Sequence, residues 1–121
     1  MRGLRWLALP VVLLPVAAAL GATSFDGTYK GQSTALRGGP PICKDPGDVS
    51  WTVADGHFTV KWAAATLAPE VGADGSFRTS VQYTYGRTVS TATMTGRISN
   101  GVLEADIESN ACKFHYSLKK S

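Results

Sequence analysis

Helical periodicity is missing from this sequence. After residue 25 no window repeats apolar residues at three- and four-residue intervals, so long packed helices are excluded. Cysteine and histidine are scarce: Cys43, Cys112, His57 and His115 are all there are in 121 residues. They do not have the spacing of a zinc module, and no C-x-x-C pair suggests redox chemistry. No unbroken apolar run reaches the roughly 20 residues that a membrane-spanning helix needs. The one long apolar stretch, near the amino terminus, is interrupted by Pro10 and Pro15. Charge of one sign is also lacking once that stretch is set aside. Removing Arg2 and Arg5 takes Lys+Arg from 12 to 10 against nine Asp+Glu, and the net charge from +3 to +1. The alkaline pI is thus mostly a property of the leader and gives no support for a nucleic-acid partner.

What is present begins with that leader. Two arginines, a short apolar middle and the small residues Ala17, Ala18, Ala19, Gly21 and Ala22 are the parts of a secretory signal peptide. The expected organisation is therefore a cleaved signal over 1–22 and one domain over 23–121, periplasmic or secreted, with no membrane attachment after cleavage. In such a compartment Cys43 and Cys112 are the available disulfide pair. The loop they close is long, and the chain-entropy model credits it with about 4 kcal/mol.

The mature chain reads as strands. Apolar and polar residues alternate, and turn residues recur at short intervals. The turns can be tested, because a correct hairpin places apolar residues opposite each other on one face. A two-residue turn at Asn100-Gly101 sets Ile98 against Leu103 and Met94 against Ile107. Gly86-Arg87 sets Val81 against Ala92 and Phe77 against Gly96. A three-residue loop at Ala73-Asp74-Gly75, with Gly75 left-handed, sets Val71 against Phe77 and Leu67 against Val81. Asp55-Gly56 as a type I′ turn sets Val53 against Phe58, Trp51 against Val60 and Val49 against Trp62. The inner face shifts between residues 63 and 66, where a bulge or corner, or a helical turn, is expected. The prediction is an all-β fold, an antiparallel up-and-down meander of about eight strands. It is expected to close into a small barrel with one disulfide, a two-sheet sandwich being the alternative.

At the level of architecture this layout resembles lipocalin-like and avidin-like barrels. More narrowly, Asp26-Gly27-Thr28-Tyr29-Lys30-Gly31 and Cys112-Lys113-Phe114 resemble segments of small uncharacterised exported bacterial proteins. That resemblance implies a fold and an exported life, and no activity.

Candidate chemistry is thin. His57 and His115 fall on the expected outer face with no nucleophile arranged beside them, so no enzyme is predicted, and no cofactor or metal. Glu104, Asp106 and Glu108 share an outer row that reads as a solvated face, as do the hydroxyls of Thr91, Thr93 and Thr95. The interior offers aromatic walls. Trp51, Trp62, Tyr83 and Tyr85 are the candidate contacts for a small apolar ligand in the barrel mouth. The 36–47 loop, with Arg37 and Lys44, is the alternative, as a protein-binding element such as an inhibitor of a secreted hydrolase would carry. A monomer is expected.

Overall fold

A computed structural model describes residues 24–38, 43, 47–62 and 64–121, the side chain of Tyr85 excepted. The expected signal peptide and Lys44 lie outside the described residues. Eight strands follow in order: β1 (Gly27–Arg37), β2 (Asp48–Val53), β3 (Val60–Trp62), β4 (Ala65–Leu67), β5 (Ser76–Tyr85), β6 (Thr88–Ser99), β7 (Val102–Glu108) and β8 (Lys113–Lys120). Six form one antiparallel sheet in the order β2-β1-β8-β7-β6-β5, and β3 pairs with β4 as a separate ribbon. The sheet curls into a half-barrel. No helix among the described residues is long and apolar enough to cross a membrane.

The turns explain most of this register. Asn100 and Gly101 both have positive φ, 53° and 76°, as a type I′ turn requires, and Ile98 pairs with Leu103. Gly86, with φ 63°, reverses β5 into β6 and brings Phe77 opposite Gly96. At the 73–75 loop, Gly72 N–H donates to Ser76 O at 2.9 Å, and Gly75 takes φ 87°. β4 then runs beside β5 without a hydrogen-bonded ladder, so the expected pairing of Leu67 with Val81 is not made.

The expected closed barrel is corrected at two seams, β4–β5 and β2–β3. Asp55 and Gly56 do form a positive-φ turn, and Ala54 pairs with His57. Beyond that bridge β2 and β3 part, and none of the pairs Val53–Phe58, Trp51–Val60 or Val49–Trp62 joins a ladder. One feature accounts for this. The segment after Gly56 is bonded instead to the returning chain, with Val71 N–H on Gly56 O at 2.7 Å and Phe58 N–H on Pro69 O at 3.4 Å. The rings of Trp51 and Phe58 still stack, at 5.6 Å, in the core. The inner-face shift at 63–66 is a tight reversal: Trp62 pairs with Ala65.

The two ends of the meander meet where β1 pairs with β8 over most of its length. Cys43 and Cys112 form the disulfide, with Cα atoms 5.9 Å apart. One apolar core fills the concave side. It includes Tyr29, Trp51, Phe58, Trp62, Phe114 and Tyr116, all buried. Edge-to-face contacts link Phe58 to Phe77 at 5.2 Å and Trp62 to Phe114 at 6.1 Å, so the β3–β4 ribbon is tied to both β5 and β8. The Tyr29 hydroxyl donates to Phe25 O at 2.7 Å. Burial, and then the Asp26 carboxylate, raise its pKa above the ordinary tyrosine value.

Candidate functional site

The two ends of the half-barrel differ. At the end carrying the Asn100-Gly101 turn, the inner positions Val53, Phe77, Ile98, Leu103 and Leu118 are all buried. Phe25 packs there against the core, and its ring lies where a Cβ on Gly75 would go. At the Gly86 end, the inner residues Ala35, Val49, Val81 and Tyr83 are only half-buried while still packed on the core. Alternation of side chains fixes which residues reach this rim; strand length fixes how far they stand from the sealed end. Trp62 and Phe114 lie beneath the rim as a buried edge-to-face pair. The result is a half-open rim, apolar except for the Tyr83 hydroxyl and Ser90, which pairs with Tyr83 across β5 and β6.

The candidate ligand contacts therefore divide. Trp51 is a core residue, 7% exposed, set between Phe58 and Tyr116 at 5.6 and 4.7 Å. Trp62 is equally buried but belongs to the floor of the mouth. Tyr83 stands on the rim, and the backbone of Tyr85 continues β5 to the Gly86 turn, paired with Thr88.

The alternative site is smaller than expected. β1 runs to Arg37, so the connection begins two residues later than the 36–47 reading. The Arg37 guanidinium is already engaged: it donates to Glu108 at 3.0 Å and to Ser109 O at 2.7 Å.

A group that the sequence reading treated as separate solvated residues comes together on the convex face. Asp106 pairs directly with His115 across β7 and β8. His115 Nδ1 lies 2.7 Å from Asp106 Oδ1, and Nε2 lies 3.6 Å from Glu104 Oε1. The signal was available in Asn110-Ala111: read as a two-residue turn, it sets Ser109 against Cys112, whose backbones bond at 2.8 Å, and hence Asp106 against His115. The carboxylates flank opposite sides of the ring, so neither nitrogen is left to face a substrate, and the oxygens do not converge as a metal cage would require. Among the described residues no three such side chains make a metal site. His57 is similarly placed, with Nδ1 2.7 Å from Asp55 O and Nε2 3.4 Å from Glu70.

Elsewhere on the surface an open depression of about 480 Å³ follows the β1–β2 pair, lined by Lys30, Gly31, Gln32, Asp48, Val49 and Ser50. Gln32 donates to Asp48 across it at 3.2 Å. On β5 and β6, Ser80 and Thr93 hydroxyls bond at 2.9 Å, a cross-strand pair of the ordinary exposed kind. Comparison of the chain with models of known families, with curated proteins and with solved structures found no match.

Proposed function

We propose that this protein is an exported, non-enzymatic binding module that takes a small apolar ligand at the Gly86 end of the half-barrel. The observation that carries the reading is the asymmetry of burial. Inner apolar residues are sealed at one end and left half-open at the other, around Ala35, Val49, Val81 and Tyr83. An apolar ligand seated there would cover that rim and rest on the floor made by Trp62 and Phe114, while the Tyr83 hydroxyl supplies one directional contact. The disulfide fits an oxidising, extracytoplasmic compartment, and the charged, apolar, then small-residue order of 1–22 fits export. Among the described residues both histidines lie against carboxylates rather than beside a nucleophile, which favours binding over catalysis.

The test is a titration of protein recovered from the exported fraction with the apolar probe N-phenyl-1-naphthylamine. Saturable binding at micromolar concentration is expected, with a change in indole emission. Val81→Glu, which puts a charge on the rim, should weaken it at least tenfold while leaving the denaturation midpoint close to that of the parent. Absence of saturable binding, or binding indifferent to Val81→Glu, overturns the reading.

A further inference from the structure

Among the described residues the buried polar side chains are three serines, Ser33, Ser90 and Ser109. Ser33 is already engaged. Ser109 lies in the turn after β7, where Cys112 and Arg37 hold its backbone. Ser90 is the one at the half-open rim. It is 9% exposed and sits on β6 between the exposed Val89 and Thr91, in step with the buried Ala92 and Met94. Its side chain therefore turns to the concave side. The Ser90 hydroxyl makes no hydrogen bond with another described residue. No side-chain oxygen among the described residues is both wholly enclosed and unpartnered. This hydroxyl thus opens on space that a solvent-sized group can reach.

Its surroundings restrict what can meet it. Tyr85 and Thr88 flank a two-residue turn and form a bonded pair, so by alternation Tyr83–Ser90 and Val81–Ala92 are bonded pairs too. Ser90 and Tyr83 then stand side by side, with Cα atoms about 5.5 Å apart. A serine hydroxyl is one carbon from its backbone, whereas a tyrosine hydroxyl is at the far end of a ring. Ser90 therefore presents its oxygen at the base, the half-buried Tyr83 ring forms a wall beside it, and Val81 and Ala92 continue inward. The inner positions of β5 and β6 carry no charged residue. The nearest cation on this hairpin, Arg87, is exposed in the turn. A carboxylate seated at Ser90 would lose water without gaining a counter-charge. A wholly apolar molecule would cover the serine hydroxyl and leave it without a partner, at the full desolvation penalty.

We propose that the ligand of this rim is an apolar molecule bearing one uncharged hydroxyl, which bonds to Ser90 Oγ while its hydrocarbon body lies against Val81 and the Tyr83 ring. A hydroxyl both donates and accepts, so it satisfies the serine in either role. The inference rests on the reading of the rim as a binding site, and it adds the ligand's polar group and the residue that recognises it.

The experiment is displacement of bound N-phenyl-1-naphthylamine from the exported protein at neutral pH by three probes built on one ring system: 2-naphthol, 2-methylnaphthalene and 2-naphthoate. 2-Naphthol should bind about fivefold more tightly than 2-methylnaphthalene, the size of one net hydrogen bond. 2-Naphthoate should bind most weakly. Ser90→Ala should remove the advantage of 2-naphthol and leave the affinity for 2-methylnaphthalene unchanged. Its denaturation midpoint should not fall, because the hydroxyl it removes has no partner in the free protein. The probe series on the parent chain decides the proposal even if that variant does not fold. Equal affinity for 2-naphthol and 2-methylnaphthalene, an advantage that survives Ser90→Ala, or a preference for 2-naphthoate overturns the proposal and leaves the rim as a site for apolar molecules. Absence of saturable N-phenyl-1-naphthylamine binding overturns the reading of the rim itself, and this proposal with it.

Discussion

At Gly96 a single added carbon would run into the Phe77 ring and Glu104 O, and at Gly31 into Ser117 O and the Leu118 side chain. These glycines are spacers for the core rather than turn residues, so Gly96→Ala should lower stability by about 1–3 kcal/mol in chemical denaturation, as overpacking does. The placement of Phe77 over Gly96 was legible in the sequence, because the Gly86-Arg87 turn fixes the register along the whole of β5 and β6. The role of Asp26 was not. Its carboxylate accepts from Asp55 N–H at 2.8 Å and from Gly56 N–H at 2.9 Å, tying down a turn 29 residues away in the chain. No local pattern announces an acceptor that distant from its donors. Asp26→Ala should cost about 1–2 kcal/mol, the usual range for a charge-assisted hydrogen bond of moderate exposure. Equilibrium unfolding in urea is the check; an unchanged midpoint would mean the turn holds itself.

Hairpins are the elements the sequence describes best, since the turn residues and the pattern of both flanking strands must agree. Asn100-Gly101 and Gly86-Arg87 satisfied that condition and form their ladders, whereas the Gly75 loop satisfied it and neither Val71–Phe77 nor Leu67–Val81 joins a ladder. Asp55-Gly56 satisfied it too, yet only its first pair forms, because the competition was decided by 69–71, a partner outside the hairpin. Alternation of apolar residues predicts that Trp51, Phe58, Val60 and Trp62 turn inward, and they do. It cannot tell whether the rings lie opposite one another in a ladder or interleave between separated strands. Trp62 anchors the β3–β4 ribbon to Phe114, so Trp62→Ala should lower stability by about 3–5 kcal/mol, measured by thermal and chemical unfolding. The 73–75 loop carries a pH dependence of its own. Asp74 Oδ1 accepts from Ser76 Oγ at 2.7 Å and from Ser76 N–H at 3.0 Å. Those bonds, the hydroxyl first, hold its pKa below the ordinary aspartate value. A carboxylate lowered in the fold stabilises it above its unfolded value, near 3.9, and that contribution is lost as pH falls through the folded one. Carbon-detected NMR titration should therefore find Asp74 titrating below its unfolded value, and Ser76→Ala should move it back up.

Across the described residues, strand order and the disulfide both bring the two ends of the meander together. β1 lies between β2 and β8, and Cys43–Cys112 bridges the connection after β1 to the start of β8, a separation of 69 residues. Reduction, or Cys112→Ala, should lower the unfolding free energy by about 4 kcal/mol on the chain-entropy estimate; a shift well below that would mean the β1–β8 ladder already restricts the unfolded chain. The pairing of the two cysteines was legible from their number, since each is the other's single possible partner. Closure of the barrel was not, because it depends on whether the β3–β4 ribbon zips to β2 on one side and to β5 on the other. The proposed binding rests on the half-open rim at the Gly86 end, which lies beside these unzipped seams. The direct measurement is an amide and indole NMR chemical-shift map of the oxidised protein titrated with N-phenyl-1-naphthylamine. The account predicts saturable shifts confined to Ala35, Val49, Val81, Tyr83 and the Trp62 indole, with Val53, Ile98, Leu103 and Leu118 unmoved. Shifts absent at the rim, or centred on the sealed end, would contradict it.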